Sequence, residues 1–166
     1  ILSTGTLRLG NATALGVTNG VSTGVVQILG SGAALDINGY GASTAITNPL
    51  ILSGTGVSNG GALLNSSSTA ATYAGLVSLS ANASVVGGAG VIALSSTGTI
   101  LGSGFSLTFG GAQGGSVASI IGTGAAAVIK QDAGTWTLSG ASTYSGGTTI
   151  TGGTLKFGTS FMTTAS

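Results

Sequence analysis

The chain has no cysteine, no histidine and no glutamate, and these gaps remove most of the chemistry that a protein of this length usually carries. Without cysteine there is neither a disulfide framework nor a thiolate metal site. Without histidine or glutamate, general acid–base catalysis would rest on Asp36 and Asp132, which lie far apart in sequence. Charge of either sign is scarce: 3% of residues are charged, against about 25% in an ordinary globular domain. The cations Arg8, Lys130 and Lys156 stand singly, whereas nucleic-acid binding needs clustered cations to release counterions. No apolar run approaches the ~18 residues of a membrane-spanning helix, because Gly, Ser or Thr interrupts every one. Aromatics, at 5%, lack the girdle spacing of a transmembrane barrel. Neither aspartate sits in the Gly-Gly-x-Gly-x-Asp context of calcium-binding solenoids. These gaps predict no enzyme, no catalytic, cofactor-binding or metal-binding residue, no cofactor, no nucleic-acid partner and no membrane span.

What is present is small and apolar. Glycine contributes 33 of 166 residues and proline 1, Ser and Thr together 47, and apolar residues reach 42% with mean hydropathy +0.63. Low charge with abundant Gly and Ser ordinarily signals disorder, but here there is ample material to bury. Short β-branched runs between small residues suit a narrow solenoid core about 10 Å across. Strand patterns fall at roughly 6–9, 25–29, 33–37, 50–53, 61–65, 75–80, 84–86, 91–94, 99–101, 105–109, 117–121, 126–130, 135–138, 148–151 and 154–157. No stretch sustains a 3.6-residue period, and the Ala-rich segments 67–74 and 123–128 are too short and too interrupted for helices. The intervals leave no room for crossover helices. A β-sandwich is the alternative, with Asn19-Gly20, Asn38-Gly39 and Asn59-Gly60 as candidate hairpin turns.

The densest pattern runs from Lys130 to Gly158. In Thr135-Trp136-Thr137-Leu138 and Thr154-Leu155-Lys156-Phe157 apolar residues occupy alternate positions, so each strand has one inward side. Gly134, Gly140, Gly146, Gly147, Gly152 and Gly153 mark the corners. The succession Lys130, Gly134-Thr135, Leu138, Gly140, Tyr144, Gly146, Thr148 and Gly153-Thr154-Leu155 resembles the passenger-associated repeat of bacterial autotransporters. Asp132 stands where that repeat usually has Gly, and Ser142 where it has Asn. The resemblance implies an all-β, right-handed parallel β-helix (β-solenoid) on the outside of a bacterium. The whole of 1–166 then reads as one solenoid segment, processed or part of a longer polypeptide.

Gly5-Thr-Leu-Arg-Leu-Gly10 resembles Gly153-Thr-Leu-Lys-Phe-Gly158 at an offset of 148 residues, either as a long-period repeat or as a rung common in this fold. At about 20 residues and about 4.8 Å per coil, such a unit would be roughly seven coils long. The expected interior is Leu7, Leu9, Leu35, Ile37, Leu76, Leu107, Phe109, Trp136, Leu138, Ile150, Leu155 and Phe157. Alternation points Arg8, Asp36 and Lys156 outward, and places Lys130 and Asp132 on one face of a strand, in reach of an i,i+2 contact.

The remaining motifs read as structure. Asn11, Asn65 and Asn82 open formal N-glycosylation triplets. Gly87–Gly90 and Gly110–Gly115 lack the Lys and helix of a phosphate cradle and read as turns. Thr-x-Thr pairs at Thr4, Thr97, Thr135 and Thr149 do not recur at one coil spacing, as an ice-binding ladder would. Phe105, Phe109, Trp136 and Tyr144 are expected as stacked core or corner residues rather than a sugar platform.

Two function classes follow. One is a structural repeat unit of an extracellular fibre, sheath or stalk; the other is an adhesin passenger holding a host, matrix or neighbouring-cell ligand. Scarce exposed charge and aromatics favour the first. Its partners would be copies of itself or adjacent repeat units, because neither the Ile1-Leu2 start nor the Phe161-Met162 stretch supplies a polar cap.

Overall fold

The computed structural model describes residues 1–18, 21–22 and 24–158. It is a parallel β-solenoid of about six turns with essentially no helix. The early coils contain β1 (Gly5–Arg8), β2 (Val17–Thr18), β3 (Val21–Ser22), β4 (Val26–Ile28), β5 (Ala33–Asp36) and β6 (Leu50–Gly54). The middle holds β7 (Leu63–Asn65), β8 (Ala71–Tyr73), β9 (Val77–Gly87), β10 (Ile92–Leu94), β11 (Thr99–Leu101) and β12 (Leu107–Gly110). The last coils hold β13 (Gly114–Val117), β14 (Ile120–Gly122), β15 (Val128–Lys130), β16 (Thr135–Leu138), β17 (Thr148–Ile150) and β18 (Thr154–Phe157). Among the described residues every strand pairing is parallel except β2 with β3, which rules out a sandwich.

The strands form three faces. The first is the ladder β1-β5-β7-β9-β12-β15-β17, and the second is β8-β10-β13-β16-β18. The third pairs β4 with β6, β6 with the start of β9, and β11 with both β9 and β14. β9 bends across a corner, pairing β6 and β11 at its start and β7 and β12 at its end. It unites the expected strands at 75–80 and 84–86.

Register makes each core column one residue per coil. The first face stacks Leu7, Leu35, Leu63, Val85, Phe109, Lys130 and Ile150. The second stacks Tyr73, Leu94, Val117, Leu138 and Phe157, and beside it Ala71, Ile92, Gly115, Trp136 and Leu155. Coil length shrinks along the chain, from the 28 residues between Leu7 and Leu35 to the 20 between Lys130 and Ile150. Phe109 and Trp136 tie the two faces together with ring centroids 4.6 Å apart and planes tilted by 38°. A glycine is required opposite the indole. A β-carbon at Gly115 would stand 2.0 Å from the Ile92 carbonyl oxygen and 3.0 Å from Cη2 of Trp136.

Leu9, Leu35, Ile37, Leu107, Phe109, Trp136 and Leu138 are buried as expected. Leu7, Leu76, Ile150 and Phe157 are exposed, and Leu155 is only partly buried. Leu7, Ile150, Leu155 and Phe157 do lie in core columns, but on the first or last described rung, where no further described strand covers one side. Leu76 sits at the corner before β9, beside Gly98, and Val77 takes the inward place. The two Gly-Thr-Leu rungs are not in one phase, since β1 belongs to the first face and β18 to the second. The 148-residue offset is therefore a shared rung type rather than a structural repeat.

The candidate turns divide. Asn38 and Gly39 both have positive φ, 48° and 79°, but turn a corner instead of closing a hairpin. Asn59 (φ 61°) ends a short 3-10 turn, Val57–Asn59. Asn19-Gly20 lies outside the described residues, as does Phe161-Met162.

Candidate functional site: the charged corners

Asp36 ends β5 in the row it shares with Arg8 and Leu64. Alternation places it off the core column, yet it is 3% exposed. The cause is the corner that folds over it. Its carboxylate accepts the backbone N–H of Asn38 (3.0 Å) and of Ser66 (3.1 Å) and the Ser66 hydroxyl (2.6 Å). Arg8, itself largely exposed, pairs with it at 3.4 Å and donates to the Asn38 side chain at 2.6 Å. Asp36 is thus a corner cap spanning two coils.

Lys130 departs further from expectation. It occupies the first-face core column between Phe109 and Ile150 and is fully buried. Its ammonium donates to the carbonyls of Gln131, Asp132 (2.8 Å) and Gly152 (3.0 Å). Burial lowers its pKa from the ordinary lysine value, and the Asp132 charge opposes that shift. The expected side-chain contact with Asp132 is replaced by one to the Asp132 main chain, because β15 ends at Lys130 and Asp132 turns the corner with φ 61°. The Asp132 carboxylate instead accepts the Gly111 N–H at 2.7 Å, one coil back. Lys156 is exposed.

A third corner is neutral. Asn65 is fully buried and uses its whole amide, accepting the N–H groups of Gly39 and Ser67 and donating to the carbonyls of Thr69 and Val91. That excludes it as a glycan acceptor in the folded chain. Asn82 is exposed and accepts the Ser106 N–H, but the hydroxyl of its triplet, on Ser84, is buried without a partner. Asn11 and Thr13 are both exposed, joined by a 2.9 Å hydroxyl bond.

The other candidates resolve as follows. The off-core row of the second face runs Thr72, Ala93, Ser116, Thr137, Lys156, so Thr does not form a ladder there. Trp136 and Phe109 are core; Phe105 and Tyr144 pack partly buried against it. Buried Tyr73, flagged by no sequence signal beyond its place in an Ala-rich segment, donates to the Asn48 carbonyl at 2.8 Å, and burial raises its pKa well above the ordinary tyrosine value. Asn48 in turn donates to the carbonyls of Leu15 and Gly24, pinning both positions to the solenoid. Among the described residues no group of three or more metal-ligating side chains comes together, and no helix is long and apolar enough to cross a membrane.

Comparison of the chain with curated proteins and with solved structures gave no match. Residues 128–157, which cover the buried Lys130, the Asp132 turn and the rungs β16 to β18, do match a family model, that of the passenger-associated-transport-repeat, which supports the resemblance to autotransporter passenger repeats.

Proposed function

We propose that this chain is a structural segment of an extracellular bacterial fibre or stalk of the autotransporter-passenger type, whose role is reach and stiffness. The observation that carries this reading is the use made of charge. Asp36, Lys130 and Asp132 are each engaged in hydrogen bonds to main-chain groups that link neighbouring coils, while uninterrupted core columns run through the rungs between them. Groups that could build a catalytic or ionic binding site instead hold the ladder together, which supports a reading of the segment without enzymatic activity or cofactor.

Axial continuation accompanies this role. Leu7 and Ile150 lie exposed on the same first-face column, so a further coil or a further copy laid on either rung extends that column and its backbone hydrogen bonds. Electron microscopy of the purified chain, with sedimentation at micromolar concentration, tests the reading. Elongated particles that lengthen with concentration are expected. A compact particle that stays monomeric at all concentrations contradicts it.

A further inference from the structure

The long early coils carry excursions that the short later ones lack, and between two of these, at residues 11–16 and 39–44, lies a groove of about 300 Å³. Its aromatic wall is Tyr40, half-buried, with its hydroxyl held by the Gly10 carbonyl at 2.7 Å across one coil. The ring is therefore fixed before any ligand arrives. Gly39 and Gly41 flank it with φ of 79° and 98°. A β-carbon at Gly41 would stand 1.8 Å from the Thr72 carbonyl oxygen, so no side chain can grow there beside the ring. Ser43, Thr44 and Thr69 also line the groove, all exposed. Among the described residues none of their three hydroxyls has a hydrogen-bond partner. Among the described residues no charged side chain lines the groove, and Arg8 is engaged with Asp36 and Asn38.

A pinned aromatic face, a few uncommitted hydroxyls and no charge make up a recognition chemistry of one kind. The ring takes an apolar C–H face, and the hydroxyls give and accept hydrogen bonds around its edge. We propose that this groove is a binding site for a neutral pyranoside, stacked on Tyr40 and hydrogen-bonded by Ser43, Thr44 and Thr69. The volume suits one or two sugar rings, at the small end of the roughly 300 Å³ and upward of ligand pockets. Anionic sugars have no cation to meet in it. Ser43 and Thr44 sit on the excursion, while Tyr40 also packs against the core and its carbonyl accepts the Thr72 N–H of β8, which anchors the site to the solenoid.

Saturation-transfer NMR on the whole chain tests it, with methyl glucoside, methyl galactoside, methyl mannoside and methyl N-acetylglucosaminide as probes and methyl glucuronide as the charged comparison. At least one neutral pyranoside should receive transfer, strongest on the ring protons of one face, with Kd about millimolar. Tyr40→Phe keeps the ring and should retain that binding. Tyr40→Ala and Ser43→Trp should each weaken it by about tenfold or more. Should Tyr40→Ala fail to fold, Ser43→Trp, at an exposed position, still plugs the groove and decides the matter. Absence of transfer to every neutral probe, binding unchanged in Ser43→Trp, or glucuronide bound as well as the neutral sugars would overturn the proposal.

Discussion

The ammonium of Lys130 donates to the carbonyl of Gly152, 3.0 Å away and one coil further along the chain. A cation in a core column is costly unless it is fully hydrogen-bonded, and here three carbonyls from two successive corners supply the partners. Lys130→Met fits the column but leaves those carbonyls without a donor. It should lower stability by about 2–4 kcal/mol, read as a fall in the urea midpoint. Lys156→Met, on the exposed row, should change it by less than about 0.5 kcal/mol.

Asp132 holds a left-handed backbone conformation and a side-chain bond to Gly111 together. Asp132→Ala loses the bond and keeps the strain, whereas Asp132→Gly loses the bond and sheds the strain. The glycine variant should therefore be the more stable by about 1 kcal/mol. Equal stabilities in thermal unfolding would show that the corner is not strained.

At Gly115 the Ile92 carbonyl and the Trp136 ring leave no space for a methyl group. Gly115→Ala should cost about 3 kcal/mol or more and alter the Trp136 fluorescence. Gly10→Ala, with nothing within 4 Å, should fall within about 0.5 kcal/mol of the parent.

Tyr73 and Lys130 act in opposite directions at alkaline pH. Burial raises the Tyr73 pKa, so its contribution is complete below the unfolded value of about 10 and is lost as pH rises beyond it. Burial lowers the Lys130 pKa, so the unfolded chain holds that proton longer and stability rises with pH between the lowered value and about 10.4. Tyr73→Phe removes the donor to Asn48 and should cost about 1 kcal/mol at neutral pH. Above pH 10 the parent should lose stability faster than the variant, so that the two converge in urea titrations across that range. Parallel pH profiles would place the Tyr73 hydroxyl in contact with water.

Much of this architecture was legible because alternation is a local signal. Leu107 and Phe109, or Trp136 and Leu138, declare an inward side within four residues. The charged corners were not legible, because their burial depends on what another coil lays over them. Asp36 reads as an outward residue between Leu35 and Ile37 until Ser66, thirty positions on, closes over its carboxylate. Lys130 ends a strand whose inward position it occupies, and nothing local reveals that Gly152 will offer a carbonyl there. Strand β8 is not legible because Ala71-Thr72-Tyr73 lies in an Ala-rich stretch where Tyr73 is the one large apolar side chain marking an inward face. The Gly-Thr-Leu rung misled in the other direction: the same six-residue pattern serves two faces, so likeness of sequence did not carry likeness of phase.

The stacking register is tested most directly by cysteine pairs on the second face, in a chain that has no cysteine of its own. Ser116 and Thr137 are register partners on adjacent strands, so Ser116→Cys with Thr137→Cys falls within disulfide reach, about 4.4–6.8 Å between Cα atoms. Thr72 and Thr137 share the same row but lie three strands apart, about 14 Å at the usual strand spacing. On mild oxidation of monomeric protein the first pair should close an intramolecular disulfide and the second should not. Failure of the first pair, or closure of the second, would contradict the stacked parallel solenoid on which the structural role rests.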